Sequence, residues 1–77
     1  MEKRIFDCGQ YTVTVTPSDP LRIRIVEDGY EVFSMSIERY QHSWHEGLLE
    51  KALCHYIEFK DAYRISEWVA EQCAAEY

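Results

Sequence analysis

The chain has 77 residues, of which 47% are hydrophobic and 14% aromatic, and its 14 acidic and 8 basic side chains give a formal net charge of −6. This composition is too apolar for a disordered segment, and the length predicts one domain spanning residues 1–77. The acidity argues against direct binding of nucleic acid, because such binding depends on Lys and Arg displacing counterions from phosphates.

Cellular location is constrained by what the sequence lacks. No segment approaches the roughly 18 apolar residues that are needed to span a bilayer, and the charged N-terminus does not resemble a signal peptide. The three cysteines, Cys8, Cys54 and Cys73, are odd in number and widely spaced, which favours reduced thiols over a disulfide framework. We therefore expect a cytoplasmic protein that does not enter a membrane.

The first half of the chain, over about residues 4–37, is predicted to form an antiparallel β-meander. Apolar and polar residues alternate in 11–16 and again in 21–25, which is the period of half-buried strands. Asp28-Gly29 is a strong hairpin signal before a further strand at 30–37. Residues in 4–7 are the candidate for a short edge strand, so the sheet has three or four strands.

The same alternation divides the strand residues between two faces. The face expected to pack into the core carries Tyr11, Val13, Val15, Leu21, Ile23, Ile25, Phe33, Met35 and Ile37. The opposite face carries Thr12, Thr14, Thr16, Arg22, Arg24, Val26, Tyr30, Val32 and Ser34. An antiparallel meander commonly keeps one face in water, so the second face is either solvated or a binding surface.

The second half of the chain changes to helical periodicity. Ser43 and Glu46 have the spacing of a capping box, which predicts a helix over about residues 44–59. Its apolar residues recur at three- and four-residue intervals: Trp44, Leu48, Leu49, Ala52, Leu53, Tyr56 and Phe59.

A second helix is predicted over about residues 66–76, after a break at Lys60-Asp61 and with Ser66 as its cap. Its apolar stripe is Ile65, Trp68, Val69 and Cys73. Residues 55–65 are left open between helix and strand. The predicted fold is therefore α+β, with both C-terminal helices packed on one face of the sheet.

Three histidines and a cysteine fall within residues 42–55 and suggest a metal or catalytic site. On a helix that rises about 1.5 Å and turns about 100° per residue, His45 and Cys54 point to opposite sides and lie about 13 Å apart. His45 and His55 are about 15 Å apart along the axis, too far to share a zinc ion. No catalytic residue, metal or cofactor is assigned, and the protein is not expected to be an enzyme.

Two surfaces are candidates for binding a partner protein. The first consists of acidic helix ridges, formed by Glu46, Glu50, Asp61, Glu67 and Glu71. The second is the wet sheet face with Arg22, Arg24 and Tyr30, since Arg and Tyr are enriched at interface anchors. The plainer interpretation of both is an ordinary solvated surface, with a net charge that keeps a small domain soluble.

The leading functional hypothesis is a small non-enzymatic module that occupies a surface of a larger, basic nucleic-acid-binding protein complex. Phage-encoded inhibitors of host defence, anti-CRISPR proteins among them, are small acidic proteins of this general kind, an analogy of size and charge only. The alternatives are a structural subunit or homodimer and, less favoured, a thiol- or metal-dependent enzyme.

Overall fold

A computed structural model describes residues 3–18, 20–38 and 42–74, and in the last range the described side chains are those of residues 47–72. Four antiparallel strands follow one another in a single sheet, in the order β1-β2-β3-β4. The elements are β1 (Arg4–Cys8), β2 (Tyr11–Thr16), β3 (Leu21–Glu27), β4 (Tyr30–Ile37), α1 (His42–Leu53) and α2 (Phe59–Ala74). The predicted α+β fold is confirmed, with the N-terminal segment as a fourth strand.

Two tight turns set the register of the sheet. Asp28 and Gly29 have φ values of 52° and 80°, and positive φ at both central residues is what a type I′ hairpin turn requires. In the first hairpin Gly9 has a φ of 73°, which fits a type II′ turn with glycine at its first central position. The turns place Cys8 opposite Tyr11 and Glu27 opposite Tyr30.

The core lies between the sheet and the two helices. The strands contribute Phe6, Val13, Val15, Leu21, Ile23, Ile25 and Ile37, and the helical half contributes Leu49, Leu53, Ile57, Ala62, Ile65 and Val69. The core face predicted from strand alternation is confirmed, and Tyr11, Phe33 and Met35 are partly buried at its margin. Burying a side chain of the Val, Leu or Ile type stabilises the fold by about 1.5–3 kcal/mol.

Aromatic contacts join the helical half to the sheet at two places. Trp68 of α2 meets Phe6 of β1 edge to face, with ring centroids 6.0 Å apart. Tyr56 lies between the helices in sequence and contacts Tyr11 at 5.9 Å and Phe33 at 5.7 Å. Its hydroxyl donates a hydrogen bond of 3.5 Å to the carbonyl of Val32 in β4. Both contacts lie on the same face of the sheet, which fixes the side on which the helices pack.

The end of α1 differs from the prediction. The helix ends at Leu53 rather than near residue 59, because the backbone hydrogen bonds change there from four-residue to three-residue spacing. The His55 amide donates to the Ala52 carbonyl at 3.2 Å and the Tyr56 amide to the Leu53 carbonyl at 2.9 Å. Ile57 is only 7% exposed, so this turn is held in place by burial of its last side chain. The strand alternative for residues 55–65 is wrong, since no strand falls in this range and a helix begins at Phe59.

The start of α2 also differs from the prediction. The Glu58 carbonyl accepts hydrogen bonds from the amides of Asp61 at 3.1 Å and Ala62 at 2.9 Å, so the helix begins at Phe59. Lys60-Asp61 is therefore the first turn of a helix and not a break. A carboxylate in that turn is favourable, since the N-terminal end of a helix carries partial positive charge.

The apolar stripe predicted for α1 is correct only in part. Leu49 and Leu53 are buried, whereas Leu48 is 60% exposed and Phe59, now in the other helix, is 62% exposed. The predicted residues span an arc too wide for one helix to bury, and the turn after Leu53 breaks their common face. α1 begins at His42, so Ser43 lies inside the helix and not at its cap. The side chains of Trp44 and Cys73 are outside the described set.

Ser66 lies inside α2 and does not cap it. The residue is 4% exposed, and its hydroxyl oxygen has no hydrogen-bond partner among the described groups. The fully buried Ala62 precedes it by four residues, about one helical turn, so two small residues share one side of α2. A buried hydroxyl without a partner costs about 1–3 kcal/mol.

We expect Ser66→Ala to raise the free energy of unfolding by about 1 kcal/mol, because it removes the unsatisfied hydroxyl and improves helix propensity. Chemical denaturation measures the change. Ser66→Val is the matched control, since its larger side chain crowds the same site and should destabilise the protein. A less stable Ser66→Ala variant would show that the hydroxyl has a partner.

Candidate protein-binding surfaces

No described residue covers the sheet face turned away from the helices. The strand register places Ile5, Thr14, Arg24 and Ser34 in one row across all four strands, and Thr16, Arg22 and Ser36 in the next. A shallow hollow lies between Thr16, Arg22, Arg24, Glu31, Ser34 and Ser36. This face is therefore polar and dominated by hydroxyl groups.

A β-bulge separates Tyr30 from the two arginines. Ile25 pairs with Phe33 but Val26 pairs with Glu31, so β4 contains one additional residue, Val32. Beyond the bulge the alternation of β4 is reversed. Glu31 consequently shares the face of Arg24.

An ion pair confirms that Glu31 and Arg24 share the face turned away from the helices, since the Arg24 Nε donates to Glu31 Oε1 at 2.5 Å. Tyr30 pairs with Glu27 and is thus placed on the side of the core face, where it is 77% exposed. The prediction that Tyr30 joins Arg22 and Arg24 is wrong. Strand alternation alone contains no signal for the extra residue.

The five predicted acidic residues do not form one surface. Glu67 and Glu71 are exposed on α2, whereas Glu50 is half-buried on α1 and the Glu46 side chain lies outside the described set. Asp61 is six residues before Glu67, about 120° away around the helix axis. Its carboxylate lies 3.5 Å from Arg64 and its side chain is only 23% exposed.

Exposed residues of α2 form a different surface, which we call the α2 ridge: Phe59, Tyr63, Glu67 and Glu71. They are spaced four residues apart, so each lies about 40° around the axis from the one before it, and together they form a row about 18 Å long that winds about 120° around the helix. Phe59 is 62% and Tyr63 49% exposed, and their rings stack with centroids 6.2 Å apart. Sequence reasoning missed this pair because it began the second helix seven residues too late, at 66 instead of 59.

The acidic half of the α2 ridge is electrostatically unfavourable for the isolated helix. Like charges at four-residue spacing cost about 0.2–0.5 kcal/mol. Glu71 also lies in the last turn of α2, where the helix has no basic residue and its end carries partial negative charge. Among the described residues neither glutamate has an ion-pair partner, and Arg64 pairs with Asp61 instead.

A groove of about 510 Å³ lies where the first hairpin turn meets the segment between the helices, lined by residues that include Cys8, Tyr11, Tyr56, Glu58 and Asp61. Burial raises the pKa of the Cys8 thiol above its ordinary value of 9.0, and the negative charges of Asp61 and Asp7 add to the rise while Arg64 opposes it. The thiol is therefore protonated at neutral pH and is a poor nucleophile.

The described part of the chain contains no cluster of three metal-ligating side chains, and none of its helices has the length and apolarity to cross a bilayer. His42 and His45 fall in the segment whose side chains are not described. Compared with known proteins, the chain matches no family model, no curated protein and no solved structure.

We expect iodoacetamide at about pH 8 to alkylate the exposed Cys54 faster than Cys8, because the reaction requires the thiolate and the Cys8 pKa is raised. Peptide mapping by mass spectrometry gives both rates, and equal rates in denaturant are the control. Faster reaction at Cys8 would contradict its assigned environment. The same shift makes stability fall as the pH rises past 9.0, since the unfolded chain ionises first.

We expect the double change Glu67→Gln and Glu71→Gln to raise the free energy of unfolding by about 0.5 kcal/mol at low salt, because it removes the repulsion and the unfavourable helix-end charge. Glu58→Gln at the opposite end of the same helix is the matched control and should lower stability. Chemical denaturation at two salt concentrations measures both, and the differences should shrink at high salt. No gain from the double change would indicate that the two charges are compensated.

Proposed function

We propose that the protein is a non-enzymatic binding module that docks the α2 ridge on a basic surface of a larger protein. The single observation that carries this proposal is the ridge itself, in which an exposed aromatic pair is followed on one helix by two exposed carboxylates that have no ion-pair partner among the described residues. A few residues supply most of the binding energy at interfaces, and aromatic side chains are enriched among the residues buried there. Charges outside the anchor accelerate encounter and select the partner.

The electrostatics of α2 support the same proposal. Glu67 and Glu71 reduce the stability of their own helix, and a cationic partner would relieve both the mutual repulsion and the helix-end charge. Solubility alone does not require the two carboxylates to be adjacent or to lie at this end of a helix. Residues that cost stability locally and lie on an exposed surface are common at functional sites.

The partner chemistry follows from the two halves of the α2 ridge. Phe59 and Tyr63 require an apolar recess, and Glu67 and Glu71 require Lys or Arg within one to two helical turns of it. A nucleic-acid-binding complex offers such a basic surface, and an acidic module that occupies it would block the nucleic acid. Inhibition of host defence by a phage-encoded protein is the biological setting that we propose.

The test is recovery of the partner from the protein's native cells, followed by binding measurements with the purified partner. Phe59→Ala with Tyr63→Ala should weaken binding by at least about tenfold, the loss of roughly 1.4 kcal/mol or more that anchor residues show on truncation. Glu67→Gln with Glu71→Gln should mainly slow association and reduce its dependence on salt.

The matched control is Thr12→Lys with Thr14→Lys on the uncovered sheet face, which raises the net charge by the same two units as the double glutamine variant. It should leave binding nearly unchanged. If the sheet-face variant abolished binding and both ridge variants bound normally, the partner would dock on the sheet and the proposal would be wrong.

A further inference from the structure

The two edges of the sheet differ in how well they are protected from further strand pairing. β1 is five residues long, carries Arg4 and Asp7, and its Arg4 guanidinium lies over the Phe6 and Trp68 rings at 4.6 and 5.4 Å. β4 is eight residues long, and its segment 33–37 contains no charge, proline or glycine. Natural sheets usually protect an edge with charged residues or proline, because an unprotected edge is a template for another strand.

The free hydrogen-bonding groups of β4 can be assigned from the hairpin. A two-residue turn makes Glu27 and Tyr30 a hydrogen-bonded pair, and pairs of this kind alternate along an antiparallel ladder. The bulge then makes Ile25 and Phe33 such a pair, followed by Ile23 with Met35. The amides and carbonyls of Ser34 and Ser36 therefore point away from β3, toward the edge with which no other described strand pairs.

The segment 33–37 has a pattern that is symmetric about its centre. It reads Phe-Ser-Met-Ser-Ile, with apolar residues at both ends and serines on both sides of Met35. Phe33 and Met35 are only partly buried, whereas the core residues that they face on β3 are fully buried. An antiparallel copy centred on Met35 would place apolar residues beside apolar residues on the core side and serines beside serines on the other.

We infer that the free edge of β4 pairs with the same edge of a second copy of this chain, about a two-fold axis at Met35. Ser34 of each copy lies opposite Ser36 of the other, and the two pairs exchange four backbone hydrogen bonds. The pairing joins two four-stranded sheets into one and covers Phe33 and Met35. The paired segment avoids both the Val32 bulge and Glu31, so no like charges meet within it despite a net charge of −6 on each chain.

The second copy is favoured over an extended peptide of another protein because the symmetry of the segment matches the isologous contact of a two-fold dimer. Five residues per strand give a small interface, and small interfaces form weak complexes. The expected dimer is therefore concentration-dependent.

Analytical ultracentrifugation of the full chain over a range of concentrations tests the inference. The wild-type protein should shift from monomer toward twice its mass as concentration rises. Ser34→Lys with Ser36→Lys should remain monomeric, because the introduced lysines face each other across the axis. Ser34→Glu with Ser36→Glu should also remain monomeric, and an equimolar mixture of the two variants should recover the dimer.

The control is Thr12→Lys with Thr14→Lys, which adds the same charge on the same face of the interior strand β2 and should leave the dimer intact. Amide hydrogen exchange gives an independent measure, since the Ser34 and Ser36 amides should be protected only in the dimer. A wild-type protein that stays monomeric at its highest soluble concentration, or whose Ser34 and Ser36 amides exchange freely there, would overturn the inference. None of these measurements requires the partner of the α2 ridge.

Discussion

The arrangement of the helical half depends on the carbonyl of Leu53. It accepts the amide of Tyr56 at three-residue spacing and that of Ile57 at four-residue spacing, and these two bonds close the turn that follows α1. That turn places the Tyr56 ring against Tyr11 and Phe33 and buries Ile57. α2 then begins at Phe59, and this start determines which of its residues face the core and which face solvent. A turn one residue longer would rotate the helix by about 100° and would bring different residues to the surface.

The sheet could be predicted from the sequence more completely than the helices, for a physical reason. A strand buries every second residue, so Val13, Val15, Leu21, Ile23 and Ile25 identify their face without further information, and Asp28-Gly29 identifies a hairpin turn. The helical residues repeat at intervals that one long helix and two shorter ones satisfy equally well. Only the tertiary contacts of Tyr56 and Ile57 decide between them.

The candidate site was less predictable than the fold because it depends on which residues of a helix or strand share one face. The helical period predicts exposed positions for Glu67 and Glu71, and both are exposed. Phe59 and Tyr63 align with them only on a helix that begins at residue 59. The prediction for Tyr30 is wrong for a related reason. The single additional residue Val32 moves the residues before it in β4, Tyr30 and Glu31, to the opposite face of the sheet. In both cases a local irregularity of one or a few residues changes which side chains share a surface. Residue composition and period do not encode such irregularities.

The two proposed contacts use different parts of the molecule and can form together. α2 contacts β1 through Trp68 and Phe6, at the sheet edge opposite β4. Strands in a sheet are spaced about 4.8 Å apart, so pairing through β4 would separate the two copies of β1 by seven spacings, or about 34 Å. A dimer would therefore carry one α2 ridge on each side of its two-fold axis. Such a bivalent module can bind a repeated or two-fold symmetric basic surface more tightly than either ridge alone, because the second contact forms at a high effective concentration.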